Sequence, residues 1–258
     1  MNDYPEMIVP VNHVAPVPRR IRAALGGETV LDTTRARYVW EVSYYPQYYI
    51  PLDDVRADLL TSEGHTQPTG RGVAEVHAIR LGDVHRPRAA KVFKDSAVEG
   101  LSGTVRFDWA ALDAWYEEDE EVFVHPRNPY ARVDALRSNR PVRIELEGVV
   151  LAESPAPVMV FETGLPTRYY VDRGLVDFAR LTATDTETAC PYKGRTSGYW
   201  SALIGAQTHP DVAWSYSFPT RQLQPIAGLV AFFNERVDVF LDGLPLERPV
   251  TAFSRSKS

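Results

Sequence analysis

The chain has 258 residues, 44% of them apolar and 24% charged, with a net charge of −6 at pH 7. These values exclude a disordered or fibrous chain. Net charge is −4 over residues 1–140 and −2 over 141–258, so neither half carries the basic footprint of a nucleic-acid binder. The single cysteine, Cys190, allows no internal disulfide and no zinc site built on cysteine pairs. The start is acidic, without a charged region ahead of an apolar run, and the expectation is that it is no signal peptide. The longest nearly apolar stretch, residues 226–233, is far shorter than the ~20 residues of a membrane-spanning helix. The expectation is a soluble cytoplasmic protein with no nucleic-acid or membrane partner.

In chain order, Ile21, Ala23 and Leu25 alternate with polar or small residues before the Gly26-Gly27 turn, which predicts a β-hairpin into Val30-Leu31. Tyr38, Trp40 and Val42 continue an inward face with a period of two. The tyrosines Tyr44, Tyr45, Tyr48 and Tyr49, with their echo Tyr169-Tyr170, suit a half-wet sheet edge or domain seam. Asp53-Asp54-Val55-Arg56 predicts a single helical turn. Asp108 as N-cap, with Trp109, Leu112 and Trp115-Tyr116 on one face, predicts one short helix. The acidic run from Glu117 to Glu121 would oppose a helix dipole and is expected in a solvated loop. Val142, Ile144 and Leu146, then Glu147-Gly148, repeat the first hairpin pattern. A second single turn is expected near Leu175-Val176, and Val237, Val239 and Leu241 form a strand that ends at the Asp242-Gly243 turn.

Residues 21–61 align with residues 142–182 at a fixed shift. Arg22 meets Arg143, Leu25 meets Leu146, Gly27 meets Gly148, Val39 meets Val160, Glu41 meets Glu162, and Tyr48-Tyr49 meet Tyr169-Tyr170. Trp40 meets Phe161. After small slips, Pro68 meets Pro191, and Gly103, Val105 and Phe107 meet Gly228, Val230 and Phe232. Matches in order over so long a period indicate an internal duplication in which each copy is a domain with its own core. The boundaries are an extended arm over 1–16, a first repeat over 17–127, a linker over 128–140, a second repeat over 141–249 and a flexible tail over 250–258. The fold class is mainly β: two tandem, related small β domains with few short helices.

The runs Tyr44-Tyr45-Pro46-Gln47-Tyr48-Tyr49-Ile50-Pro51, Cys190-Pro191-Tyr192-Lys193-Gly194, Asp211-Val212-Ala213-Trp214-Ser215-Tyr216 and residues 226–233 resemble the bacterial domain-of-unknown-function family 427, in a two-copy form. The resemblance spans nearly the whole chain, from Pro18 to Gly243. It implies a compact all-β domain similar to the β-tent. Such domains hold zinc through paired Cys-x-x-Cys motifs, which this chain lacks, so no metal and no cofactor is expected. The family is also filed beside nucleotidyltransferases, which need closely spaced carboxylates for paired metal ions. The nearest pattern is Asp185-x-Glu187, and no glycine-rich phosphate loop accompanies it.

Two features carry candidate chemistry. In Thr188-Ala189-Cys190-Pro191-Tyr192-Lys193-Gly194, Lys193 across a proline-containing turn can supply the cation that activates a thiol. The first repeat has Gln67-Pro68-Thr69-Gly70-Arg71 here, so only the second repeat has the thiol. Trp214 and Tyr216 share a strand face, and Tyr199 and Trp200 point to opposite faces. The candidate catalytic residues are Cys190, Lys193 and Asp211. The candidate ligand-binding residues are Tyr169, Tyr199, Trp214 and Tyr216, in a pocket of the second repeat or at the repeat interface that takes a small molecule. The plain alternative is that these rings are core; a second reading is a non-catalytic interaction or assembly module that holds a peptide, a partner or, as a homo-oligomer, another copy of itself. Nucleotidyl transfer stands on the family label alone.

Overall fold

A computed structural model describes residues 9–254. The chain divides between Pro129 and Tyr130 into two compact units. The first holds β1 (Val14–Pro16), β2 (Ile21–Leu25), β3 (Glu28–Thr33), β4 (Arg37–Val39), β5 (Gln47–Pro51), β6 (Leu60–Thr69), β7 (Gly72–Leu81), β8 (Val84–Phe93), β9 (Thr104–Phe107), β10 (Ala114–Glu117) and β11 (Glu120–Val122). The second holds β12 (Val133–Arg137), β13 (Val142–Leu146), β14 (Val149–Ser154), β15 (Val158–Glu162), β16 (Arg168–Val171), β17 (Leu181–Thr184), β18 (Ala189–Cys190), β19 (Gly194–Arg195), β20 (Gly198–Ile204), β21 (Gln207–Ser215), β22 (Val230–Phe232), β23 (Asp238–Leu241) and β24 (Leu244–Pro245).

Both units have the same topology. A seven-stranded sheet runs β1-β4-β5-β9-β8-β7-β6 in the first and β12-β15-β16-β22-β21-β20-β17 in the second. A four-stranded sheet runs β11-β10-β2-β3 and, correspondingly, β24-β23-β13-β14. The duplication read from the sequence is therefore a duplication of fold. The alternating hairpins form as expected. Both central residues of the first turn, Gly26 and Gly27, take positive φ (60° and 81°), as do Glu147 and Gly148 (51° and 77°) and Asp242 and Gly243 (54° and 78°). That is the backbone twist a two-residue hairpin requires.

In each unit the core lies between the two sheets. Ile21, Ala23, Leu25 and Trp115 of the short sheet meet Tyr38, Tyr48, Ile50, Val92 and Phe107 of the long one. Val142, Ile144, Leu146 and Val239 likewise meet Tyr169, Val171, Trp200 and Phe232. The long sheet also carries a second apolar cluster on its other face. That cluster is Val39, Tyr49, Ala74, Phe93 and Leu101 in the first unit, and a larger one around Val160, Tyr170, Trp214 and Ile226 in the second.

Several expectations are corrected. The 128–140 segment is not only a linker: Val133–Arg137 is β12, which pairs with β15 and completes the sheet edge as β1 does with β4. So the arm assigned to 1–16 ends in a strand, and its residues 1–8 lie outside the described residues. The Asp108 helix is a single 3₁₀ turn, Trp109–Ala111, followed by β10. Asp108 pairs with Arg106 instead of capping, and Trp115 pairs across to Ala23. The two tryptophans still meet, with ring centroids 5.0 Å apart, but by stacking across the turn. Glu117 is buried at the end of β10, where it accepts a hydrogen bond from Tyr48 Oη at 2.6 Å and pairs with Arg19 at 2.5 Å. Val42 is exposed, since β4 ends at Val39. Trp40 is buried, yet its counterpart Phe161 is exposed. β5 and β16 are interior strands, so Tyr48, Tyr49, Tyr169 and Tyr170 do not lie at a sheet edge. The single turns near Asp53 and Leu175 are present as 3₁₀ turns. Of the tail, Thr251 donates to Glu235 at 2.6 Å and Phe253 lies by Phe233, while residues 255–258 lie outside the described residues.

One buried ion pair belongs to the second unit alone. Arg168 forms two hydrogen bonds to Glu235, at 2.6 and 2.7 Å, and the Glu235 side chain is fully buried. Burial alone would raise the Glu235 pKa, but the hydrogen bonds and charge of Arg168 outweigh it and hold the pKa below its ordinary value. Arg168→Met should therefore cost about 3–5 kcal/mol in urea unfolding, and Arg168→Met/Glu235→Leu far less, because the first leaves a buried charge unpaired. With a lowered folded pKa, the pair's contribution is present above the ordinary carboxylate range and is lost as pH falls through it. An acid titration of stability should show this loss in the wild type and not in the double variant.

Candidate functional site

The candidate site forms on the outer face of the second unit's long sheet. Side chains alternate along a strand, so neighbours go to opposite faces. Trp214 and Tyr216 point outward together, as their spacing predicts, and Tyr199 packs with them on the same face. Trp200 points into the main core. The tyrosine that joins the outward rings is Tyr170, not Tyr169. Tyr170 Oη accepts a hydrogen bond from Trp214 Nε1 at 3.2 Å. Tyr169, one residue earlier, faces the main core and lines a small cleft of about 110 Å³ with Thr167, Asn234 and Leu246.

These outward rings do not line a hollow. Tyr199, Trp214 and Tyr216 are buried with Val158, Val160, Leu223 and Ile226, and they form a second core covered by the 3₁₀ stretch Arg221–Ile226. Burial pushes the Tyr170 hydroxyl up to about 12 and raises Tyr199 and Tyr216 as well, so all three are neutral phenols at physiological pH.

Cys190 and Lys193 sit at the rim of this second core. Cys190 pairs with Gly194 across the short β18–β19 hairpin, and Pro191, Tyr192 and Lys193 form its turn. Thr220 pins the tip: its N–H donates to the Lys193 carbonyl at 3.1 Å and its hydroxyl to the Tyr192 carbonyl at 2.5 Å. Gly194 has a φ of 95° and lies against the Phe218 carbonyl, so a side chain there would strain the turn. The Lys193 side chain folds inward. Its ammonium donates to the Glu162 carboxylate and lies 3.9 Å from Cys190 Sγ. The Lys193 side chain is 9% exposed and that of Glu162 11%. Cys190 itself is half-buried. Burial alone would lower the Lys193 pKa; the neighbouring Cys190, Glu162 and Tyr170 more than offset it, and the net shift is upward. Lys193 is a cation at every physiological pH.

The same corner in the first unit has different occupants. Glu41 stands where Glu162 does and accepts from Tyr49 Oη at 2.8 Å. Arg71, from the β6–β7 turn, lies 3.7 Å from its carboxylate, and Arg106 lies 3.4 Å away. Register makes the exchange explicit: Lys91 pairs with Arg106 in the first unit, and Trp214 with Ala231 in the second. A cationic strand pair has been traded for a ring over a small residue.

The family model described as Domain of unknown function (DUF427) matches residues 13–118 and 134–243. The chain belongs to this family. Each matched segment falls on one of the two sheet sets and covers most of it, so this is a two-copy DUF427 protein. The family's short name also carries a nucleotidyltransferase label. No curated protein matches the chain. No helix among the described residues of this DUF427 chain is long and apolar enough to cross a membrane.

Asp211 is not part of the Cys190 corner. Its two carboxylate oxygens accept from Thr184 Oγ1 at 2.8 Å and Thr186 Oγ1 at 2.7 Å, and its N–H donates to Ser201 Oγ at 3.1 Å. It takes a φ of 48° beside the bulge in the β20–β21 ladder. It clasps the segment that leaves β17 and leads to Cys190. Glu162 is the residue that motif reading passed over. The signal for it was present, because Glu41 and Glu162 align in the duplication.

Glu162→Gln leaves a buried ammonium without its carboxylate and should destabilise the protein by about 3–5 kcal/mol, while Glu162→Leu/Lys193→Met recovers most of the loss. The raised Lys193 pKa sets the pH window. The pair's contribution is complete below the ordinary lysine value of 10.5 and fades as pH rises above it. Urea unfolding at pH 8 and in the alkaline range should show a larger loss in the wild type than in the double variant, which keeps only the alkaline loss contributed by the buried tyrosines.

Proposed function

We propose that this DUF427 protein binds and processes a small molecule at the second repeat, with Cys190 as nucleophile and Lys193 as the cation beside it. Glu162 holds Lys193 in place, and Asp211 is a positioning residue for the segment that leads to Cys190. The observation that carries the reading is the Lys193 ammonium, buried, paired with Glu162 and 3.9 Å from Cys190 Sγ. A cation at that distance is what a nucleophilic sulfur uses. Cys190 is half-buried rather than enclosed, and the reading requires that a small reagent reach its sulfur. The rings of Tyr170, Tyr199, Trp214 and Tyr216 form the floor beneath it. The Tyr169 cleft, at about 110 Å³, is well below the ~300–1,000 Å³ of ordinary ligand pockets and is a weaker candidate. We place the protein in the cytoplasm, where a lone thiol stays reduced.

Lys193→Met should slow alkylation of Cys190 by iodoacetamide at pH 7 by about tenfold, in a protein whose far-ultraviolet circular dichroism is unchanged. An equal rate in the two proteins rejects the nucleophile.

A second reading keeps the repeat non-catalytic. Phe218, 89% exposed on the segment that covers Gly194, favours a docking role for this rim. In that case Phe218→Ser abolishes self-association in light scattering and leaves Cys190 alkylation unchanged.

A further inference from the structure

We infer that the first repeat carries a site for a tetrahedral oxyanion, free phosphate or the phosphoryl group of a small monoester, held by Arg71, Lys91 and Arg106 on the outer face of its long sheet. The site belongs to the repeat without the thiol and is independent of the nucleophilic reading of Cys190.

Register and charge carry it. Lys91 on β8 and Arg106 on β9 are directly opposite each other in an antiparallel ladder, so their side chains leave the same face. Like charges so placed repel and cost stability. Arg71, from the β6–β7 turn, brings a third cation to this corner. Its guanidinium and that of Arg106 lie 3.7 and 3.4 Å from one carboxylate, Glu41. Glu41 is shared further, because it also accepts from Tyr49 Oη at 2.8 Å. Arg106 has one more partner, Asp108, whose side chain is half exposed. Lys91 is half-buried and pairs with no carboxylate among the described residues. Three cations thus stand against two carboxylates, in a chain whose net charge is −6. The field of the whole chain repels anions, so it is the corner itself that draws one.

The cations are held in place. The side chains of Arg71 and Arg106 are 12% and 15% exposed, so water screens them less than it does surface charges. The Arg71 backbone is fixed on both sides: its N–H donates to Thr69 Oγ1 at 3.1 Å, and Ser96 Oγ donates to its carbonyl at 2.6 Å. The Asn12 side chain accepts from the Arg71 guanidinium at 3.4 Å and donates to the Gly70 carbonyl at 3.1 Å. A cation fixed this way loses little freedom when a ligand arrives. The second repeat is an internal control. There Trp214 and Ala231 replace Lys91 and Arg106, and one lysine satisfies the one carboxylate, Glu162. The like-charge pair is therefore no requirement of the fold. An oxyanion that bridges Lys91 and Arg106 turns their repulsion into charge-assisted hydrogen bonds. Because the three cations come from a turn and two strands, they suit the tetrahedral oxygens of a phosphoryl group better than the two coplanar oxygens of a carboxylate, which a single guanidinium fork can hold.

The test titrates the full chain at pH 8 and low ionic strength with inorganic phosphate, phenyl phosphate and acetate, read by calorimetry. The expected result is one phosphate site per chain, with acetate about tenfold weaker or more. Lys91→Met should weaken phosphate by about tenfold. Because it removes a repulsion, it should leave the Tm of the phosphate-free protein equal or higher. Arg71→Met should weaken phosphate likewise; Lys91→Met breaks no ion pair and keeps the test decisive if the arginine variant misfolds. Phenyl phosphate binding more tightly than phosphate assigns the site to a monoester, and equal or weaker binding assigns it to the free ion. No phosphate binding, acetate as tight as phosphate, or an unchanged affinity in Lys91→Met overturns the inference. So does a lower Tm in phosphate-free Lys91→Met, which would make the lysine a structural partner.

Discussion

A carboxylate placed at the rim of a sheet, against an apolar cluster, must have a cation. The second repeat meets this demand at Glu162 with Lys193, and the first at Glu41 with Arg71 and Arg106. The requirement explains why a lysine from a three-residue turn folds inward instead of reaching for solvent. It also brings an ammonium to Cys190, because the residue that satisfies Glu162 lies three positions along the same turn.

The long sheet supplies the stage. Each of its middle strands sends alternate side chains to the sandwich core and to the outer cluster, so Tyr169 and Tyr170 serve different faces although they are neighbours. The outer cluster is sparse in the first repeat and ring-rich in the second. In the first repeat the corresponding hairpin, β6–β7, stays in the sheet to its tip at Thr69 and Gly72. In the second the ladder is left at Thr184, clasped by Asp211, and a separate two-stranded tip carries Cys190.

The two repeats share one architecture and differ, among other places, at the corner beside Glu41 and Glu162. Lys91 and Arg106 on the first repeat's outer face correspond to Trp214 and Ala231 on the second, which exchanges charge for apolar volume at matched positions. The thiol belongs to the repeat with the ring-filled outer face. A charged outer face tolerates water and a ring-filled one excludes it, so a charge pair such as Lys193 and Glu162 acts more strongly in the second repeat.

The duplication, the mainly β class, the hairpins with their two-residue turns and the shared face of Trp214 and Tyr216 were all legible in the sequence. Each follows from period-two alternation or from turn chemistry, and those act between residues close along the chain. So was the proximity of Cys190 to Lys193, across three residues of turn. The rest was decided by contacts between residues far apart. Trp109 and Trp115 match a helical face equally well, but pairing of Trp115 with Ala23 draws that segment into a strand. Tyr170 rather than Tyr169 reaches Trp214, because one residue of register decides the face. Asp211 is committed to two threonines, and the rings that pattern alone would place around a hollow instead fill it. Local pattern determines which side of a strand a residue occupies; only the packed structure determines what waits on that side, because burial and pairing depend on partners that sequence distance does not reveal.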